Sequence, residues 1–279
     1  MEAEKLRRLE AAARQVRYDL VEAIGNIGIG HFGGALSIVE VLTVLYFSQM
    51  NASPARARDP ERDKLVLSKG HAGPALYAVL SQKGYFPRET LFTLNQGGTS
   101  LPSHCDRNLT PGIDMTTGSL GQGLSVAIGM SLADRMDGRK NRIFAIIGDG
   151  ESDEGQVWEA AMSAAHYRLG NLIAFTDYNK MNIDGLTSEI INLDDLGAKW
   201  RAFNWNVQRV DGHDLAAIDE AITLARLEVD RPSMIILDTI KGKGVSIAEG
   251  KLSSHNMAIS KEETRLALKE LAEAMGGTS

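Results

Sequence analysis

Two short segments of the chain carry residue types suited to holding a metal ion beside a phosphate. Asp149 lies between two glycines at the end of an apolar run, and Asn179 follows the next apolar run 30 residues later. The flanking glycines let backbone amides approach a phosphate without interference from a Cβ atom. The spacing fits one strand–helix–strand crossover, which would place both side chains at neighbouring carboxyl ends of a parallel sheet. A carboxylate, an amide oxygen and a nearby backbone carbonyl suit magnesium held together with ligand phosphates.

Four of the six histidines lie in loops rich in glycine or turn-forming residues: His31, His71, His104 and His255. Imidazole is the side chain best able to move protons near neutral pH, so this group indicates acid–base or hydroxyl-binding chemistry. Any one of them alone would be read as a hydrogen-bonded structural histidine. That is our interpretation of His166, inside a helical pattern, and of His213, which we expect to cap a helix.

The apolar patterns indicate which elements position these residues. Strands are predicted at 142–147, 172–176, 205–210 and 234–239, and a short apolar run lies at 64–67. Helices are predicted at 4–24, about 36–48, about 73–83, about 121–136, 154–167, 215–228 and after residue 261. Strands that alternate with helices predict an α/β fold with a parallel sheet flanked by helices on both faces. We expect a single domain over residues 1–279, of which about 261–279 form a C-terminal helix and a frayed tail.

Composition excludes several other classes of function. The net charge of −6 provides no electrostatic footprint for nucleic acid or an anionic membrane. The most apolar stretch, 35–50, is interrupted by Glu40 and is too short to span a bilayer, and the charged first residues do not resemble a signal peptide. With Cys105 as the only cysteine, no intramolecular disulfide is possible, so we expect a reducing, cytoplasmic compartment.

Longer segments resemble a known family. Residues 148–185 resemble the thiamine-diphosphate motif, a GDG followed by an asparagine about thirty residues later. GHFGGALS (30–37), LSKGHAGPALYAVL (67–80), PSHCDR (102–107) and TTGSLGQGLSVAIGM (116–130) resemble four transketolase segments in the same order. From about residue 14 to residue 260 the chain is similar to the N-terminal subunit of transketolases encoded as two polypeptides. The resemblance implies a diphosphate-binding domain that transfers a two-carbon ketol unit from a ketose to an aldose.

The resemblance also implies roles for individual residues. The metal ligands would be Asp149, Asn179 and the Met181 carbonyl, with Mg²⁺ as the ion and Ca²⁺ or Mn²⁺ able to replace it. Thiamine diphosphate would be contacted by His71, Gly118, Ser119, Leu120, Gly150, Asn179, Ile183, Lys241 and His255. The catalytic group would comprise His31, His71, His104, His255 and Glu154, with His31 and His104 binding donor hydroxyls. Glu154 and Glu159 match carboxylates at the family's dimer interface, although both also suit a helix N-terminus. Lys241 can equally be a solvated loop lysine.

A partner chain follows from the same resemblance. In the family, a glutamate of the pyrimidine-binding domain activates the aminopyrimidine, and that domain is missing from the 279 residues here. We therefore expect a C-terminal transketolase subunit that carries this domain, an α2β2 assembly, and sugar or sugar-phosphate substrates. No nucleic acid or membrane partner is expected.

Departures from the family pattern and rival interpretations remain. Phe32 stands where the family usually has proline, Asn256 stands where it usually has glycine, and the segment after His104 is one residue longer. Other thiamine enzymes, such as deoxyxylulose-phosphate synthase or the α subunit of an oxo-acid dehydrogenase, share the cofactor motif, and a regulatory subunit without activity is a further rival. The letters of a dinucleotide fingerprint at 28–33 follow a helix rather than a strand, which indicates an accidental match. Cys105 is interpreted as a packed residue rather than a nucleophile.

Overall fold

A five-stranded parallel sheet forms the centre of the protein. The structure, a computed structural model, describes residues 1–276, and side chains up to residue 274. The rest of the predicted C-terminal tail, residues 277–279, lies outside the described residues. The strands are β1 (Ile29–Gly30), β2 (Lys64–Leu67), β3 (Ile143–Gly148), β4 (Leu172–Tyr178), β5 (Asn206–Asp211), β6 (Ser233–Asp238) and β7 (Met257–Ala258). The large sheet has the order β2-β3-β4-β6-β5.

Helices cover both faces of this sheet, as the sequence predicts. They are α1 (Ala3–Ile27), α2 (Gly33–Leu36), α3 (Val39–Val44), α4 (Gly73–Gln82), α5 (Gln122–Met136), α6 (Gly155–His166), α7 (Thr187–Ile190), α8 (Leu196–Ala202), α9 (Leu215–Leu227) and α10 (Lys261–Gly276). Side chains alternate across each strand, so Phe144 and Ile146 of β3 join one core with α1, α3, α4 and α9. Ile143 and Ala145 join a second core with α5, α6 and α8.

The register of the parallel strands gathers several chain reversals at one edge. Gly148 of β3 pairs with Asp177 of β4, and Tyr178 of β4 pairs with Asp238 of β6. Asp149 and Asn179 therefore follow the ends of two neighbouring strands, as the thirty-residue spacing predicts. Loops and helix N-termini converge at this edge, which is where α/β proteins bind ligands.

The sequence predicts one continuous helix over about 36–48, and this prediction is wrong. The segment forms α2, a break at Ser37 and Ile38, then α3 and a π-helical turn at Leu45–Gln49. The hydroxyl of Ser37 donates to the carboxylate of Asp177 at 2.7 Å and to the Gly34 carbonyl at 3.2 Å. Because these side-chain bonds compete with regular helix geometry, the break lies at the residue that contacts the sheet edge.

Two features escaped sequence analysis. Helix α8 is capped by Asp195, whose side chain accepts a hydrogen bond from the Ala198 amide at 2.9 Å. The two-residue strands β1 and β7 pair antiparallel, with Gly30 opposite Met257. This pairing holds the segment before His31 against the segment after His255. In the described part of the chain, no helix is both long and apolar enough to cross a membrane.

Candidate active site

Asp149 lies almost wholly buried at the end of β3. It is 2% exposed, and its carboxylate accepts the backbone N–H groups of Gly150 at 2.8 Å and Lys180 at 2.5 Å. Burial, reinforced by the neighbouring Asp177, raises the pKa of Asp149 to about 7. A carboxylate whose charge is this poorly compensated is a good ligand for a cation.

Asn179 follows β4 and lies beside Asp177. Its Nδ2 donates to Asp177 Oδ2 at 2.9 Å, which fixes the amide and leaves Oδ1 to accept the Met181 N–H at 3.1 Å. The carbonyl oxygens of Met181 and Asn182 accept the ammonium of Lys241 at 3.3 and 3.0 Å. The Met181 carbonyl that the sequence suggests for a metal thus already faces a cation.

The donors and the space at this edge fit a magnesium ion with phosphate groups. A cleft of about 380 Å³ opens there, lined by His71, Leu120, Asp149, Gly150, Glu154, Asn179, Met181, Ile183, Lys241 and His255. Within the described residues no three His, Cys, Asp or Glu side chains converge as a metal site. A carboxylate, an amide and a backbone carbonyl nevertheless form the oxygen set that magnesium accepts alongside phosphate. A Cβ at Gly150 would lie 2.9 Å from that of Asn182, so only glycine keeps this backbone close.

The four loop histidines form one cluster. The ring of His31 lies 5.3 Å from that of His71, 5.5 Å from that of His104 and 5.6 Å from that of His255, between ring centroids. The rings of His71 and His255 are 5.0 Å apart. His31 and His104 do not line the cleft itself, but their rings continue its wall from His71.

The cluster is electrically neutral near pH 7. Burial, followed by the nearby Lys69, lowers the pKa of His71 to about 2. Burial and the nearby Lys241 lower the pKa of His255 to about 4. Burial also lowers the pKa of His31, with a smaller contribution from His104, and burial alone lowers the pKa of His104. A neutral imidazole offers one donor and one acceptor, which suits a sugar hydroxyl.

The loop with Gly118, Ser119 and Leu120 runs beside the histidines. Gly118 has a φ of +152°, and a Cβ there would lie 3.3 Å from Cδ2 of His104. Leu120 and Ile183 are exposed large apolar residues, at 38% and 62%. Ser119 is exposed as well.

Lys241 is a buried residue of the cleft. Only 2% of the residue is exposed, which excludes the solvated-lysine alternative. Its Nζ lies 3.3 Å from Nδ1 of His255. Burial, together with the charge of Lys69, lowers the pKa of Lys241 to about 8.

Sequence reasoning missed a buried ion pair in the lining of the cleft. Lys69 Nζ lies 2.5 Å from Asp177 Oδ2 and also donates to the Gly34 carbonyl at 2.7 Å. Asp177 further accepts the hydroxyls of Ser37 and Thr239. Their closeness in sequence to two candidate site residues could have indicated this pair. Lys69 lies two residues before His71, and Asp177 lies two residues before Asn179.

His213 has a different role from the one predicted. The prediction that it caps a helix is wrong, because Asp214 caps α9 through the amides of Ala216 and Ala217. His213 instead lies 3.1 Å from Glu40 and accepts the Ile240 N–H at 2.8 Å. Its neighbouring aspartate has the shorter side chain that reaches the helix amides.

Four further residues that the sequence analysis singled out differ in their burial. Cys105 is buried, and burial raises the pKa of its thiol to about 12, so it packs as a protonated side chain. Glu154 and Glu159 are both exposed on this chain. Phe32, one of the departures, is fully buried in the core and does not line the cleft.

Fold and site together define an α/β protein whose cofactor cleft lies where parallel strands end. Residues 8–274 match the family described as transketolase, thiamine diphosphate binding domain. The chain belongs to this family.

Relatives of two lengths resemble the chain. It is 59% identical to the 6-deoxy-6-sulfo-D-fructose transketolase subunit SqwG of Clostridium sp. (strain MSTE9), over 94% of this chain and 96% of that one. It is 39% identical to an apulose-4-phosphate transketolase subunit of Actinobacillus succinogenes, over 94% of this chain and 95% of the relative. A transketolase mutant from Pichia stipitis has a TM-score of 0.89 at 31% identity, covering 96% of this chain. The chain spans only 40% of that solved transketolase.

Proposed function

We propose that the chain is the N-terminal subunit of a split transketolase, which binds thiamine diphosphate and Mg²⁺ and works only with a C-terminal subunit. The observation that carries this proposal is the shared cleft, which Asp149 and Asn179 line together with His71 and His255 of the histidine cluster. The chain would form one diphosphate-binding domain over residues 1–279. Two pairs of subunits would assemble as α2β2 in the cytoplasm.

In this proposal the cofactor is held by oxygen ligands and glycine amides. Asp149, Asn179 and the Met181 carbonyl would bind the metal, with the Gly150 amide on the diphosphate. Lys241 and His255 would line the phosphate end, and Gly118, Leu120 and Ile183 the aminopyrimidine end. When bound, thiamine diphosphate supplies the carbon centre that carries the two-carbon unit.

The histidines would handle the sugar oxygens. His31 and His104 would bind hydroxyls of the donor, and His71 and His255 would hold or move a proton at oxygens nearer the diphosphate. Their lowered pKa values support the hydrogen-bonding part of this role, because each neutral ring can both donate and accept at neutral pH.

The need for a partner is supported by exposure and by length. Leu120 and Ile183 are exposed, although they would wall the aminopyrimidine, and Glu154 in the cleft lining and Glu159 on α6 are exposed as well. Relatives of the same length are named as subunits, whereas the solved transketolase from Pichia stipitis is more than twice as long. A partner would bury these residues and supply the carboxylate that activates the aminopyrimidine.

The substrate is proposed to be a ketose with an anionic group at the end remote from the transferred carbons. Two relatives are named for such sugars, one a sulfonated fructose and one a sugar phosphate. Suitable donors for a test are 6-deoxy-6-sulfo-D-fructose and D-fructose 6-phosphate, with D-glyceraldehyde 3-phosphate as acceptor.

The experiment combines the purified chain with its partner subunit, thiamine diphosphate and Mg²⁺. We expect donor loss and ketol transfer only when both subunits are present. The Asp149→Ala variant of this chain, mixed with the wild-type partner, should give no reaction. Pyruvate in place of the ketose should not react. Ketol transfer at full rate by the isolated chain would contradict the split-enzyme proposal. Turnover of pyruvate in place of the ketose would indicate a different thiamine enzyme.

A further inference from the structure

One buried carboxylate joins three loops of the cleft. We call these loops the histidine loop (68–71), the pyrimidine loop (117–121) and the diphosphate loop (148–150). Glu151 is 2% exposed and lies between them. Its Oε1 accepts the Ser68 hydroxyl and, at 2.8 Å, the Gly121 N–H, while its Oε2 accepts the Gly148 N–H at 3.0 Å.

We propose that Glu151 is a positioning residue that sets the separation between the pyrimidine loop and the diphosphate loop, and thereby the fit of thiamine diphosphate at both of its ends. The inference rests on the proposed function, which assigns Leu120 to the aminopyrimidine and Asp149 to the metal. Each backbone amide that Glu151 binds is directly next to one of these residues. A shift of either loop therefore moves a cofactor contact by a similar distance.

The surrounding glycines allow the segments that Glu151 connects to lie close together. Gly121 has a φ of +84°, and a Cβ there would lie 2.9 Å from that of Glu154. A Cβ at Gly123 would overlap Ser68. The pyrimidine loop can therefore approach Glu154, and the start of α5 can approach the histidine loop, only because these two side chains are missing. Such close contacts need a polar group to satisfy the enclosed amides.

A carboxylate is the side chain that satisfies all three donors. It has acceptor sites on both oxygens and no hydrogen to place against an amide. Burial raises the pKa of Glu151, while its three donors and the nearby Lys69 oppose that shift. Glutamine has the same shape, but its NH₂ group must face either Gly148 N–H or the Ser68–Gly121 pair. One loop would then lose its anchor.

The test compares Glu151→Gln with Glu220→Gln, an exposed glutamate on α9 far along the chain. In the assembled enzyme with saturating Mg²⁺, we expect Glu151→Gln to raise the Kd of thiamine diphosphate by about 10- to 100-fold. The kcat at saturating cofactor should change much less. In the chain without cofactor, hydrogen exchange should speed up in peptides covering 117–123 and 148–150, but not in β5. Glu220→Gln should match the wild type in each measurement.

Ser68→Ala removes one donor and leaves the carboxylate. This variant therefore tests the positioning role of Glu151 if Glu151→Gln does not fold. We expect the same changes at smaller size. A folded Glu151→Gln variant with wild-type Kd and unchanged exchange in 117–123 would overturn the inference, as would a Ser68→Ala variant without either change. Failure of the wild-type assembly to bind thiamine diphosphate would overturn the proposed function instead, and the exchange measurement would still report whether Glu151 holds the loops.

Discussion

The Nζ of Lys69 lies 2.5 Å from Oδ2 of Asp177 in the lining of the cleft, and the two side chains are 3% and 0% exposed. Burial opposes ionisation of Asp177, but Lys69 and the hydroxyls of Thr239 and Ser37 hold its pKa below the ordinary value. Since Asp177 also fixes the amide of Asn179, this pair supports one of the proposed metal ligands.

Replacing one member of the pair should be costly. Lys69→Met leaves a buried carboxylate without its counter-charge, and we expect the free energy of unfolding at pH 7 to fall by about 3–5 kcal/mol. Asp177 has a lowered pKa, so its stabilising contribution is present above its unfolded pKa and is lost as the pH falls through the folded value. Urea unfolding of the free chain at pH 7 measures the effect. The double variant Lys69→Met/Asp177→Asn should recover part of the loss, and a single variant as stable as the wild type would contradict the role of the pair.

Asp149 should be essential for metal-dependent cofactor binding. Asp149→Ala removes an oxygen ligand together with its charge, so titration of the assembled enzyme with thiamine diphosphate and Mg²⁺ should give no binding heat. Asp184→Ala is the matched control, because Asp184 lines the same cleft but is exposed. Wild-type affinity in Asp149→Ala would refute its assignment as a ligand.

His104 should act in turnover rather than in folding. Its Nδ1 lies 2.9 Å from the Ser103 hydroxyl, and the residue is only partly buried. We expect His104→Ala to lower kcat/KM for the ketose donor by about ten- to ten-thousand-fold, the range for an acid–base or hydroxyl contact. The melting temperature should barely move, as in His166→Ala, a variant of an exposed histidine. A large fall in melting temperature with normal turnover would make His104 a structural residue.

The neutral histidines should make the fold sensitive to acid. The pKa of His71 is lowered to about 2 and that of His255 to about 4, so the unfolded chain binds protons below about pH 6.5 that the folded chain does not. Stability should therefore decrease as the pH falls from about 6.5, by up to about 1.4 kcal/mol per pH unit for each such group. His71→Gln cannot be protonated, so its unfolding free energy should decrease less steeply between pH 6.5 and 4.5. Equal slopes for wild type and variant would show that His71 is not held neutral.

The sequence by itself predicted the parallel sheet and the neighbouring strands whose ends carry Asp149 and Asn179. Apolar runs of strand length and the 30-residue spacing from Asp149 to Asn179 were sufficient, because one crossover links neighbouring strands and its geometry is local. The four histidines that the sequence singled out by their loop setting form one cluster in the structure, and their roles stay a prediction. The predicted helix over 36–48 failed because the bond from Ser37 to Asp177 joins residues 140 positions apart.

Only the tertiary structure decided how these parts meet. His31 and His255 are brought together by β1 and β7, two strands of two residues each, which are too short to produce a periodic pattern. The pairing of Lys69 with Asp177 and the bonds of Glu151 to Ser68 and Gly121 likewise join segments that are distant in sequence. A buried charge reveals its partner only when the surrounding chain excludes water from both, and that exclusion depends on the packing of the whole sheet edge rather than on any local spacing.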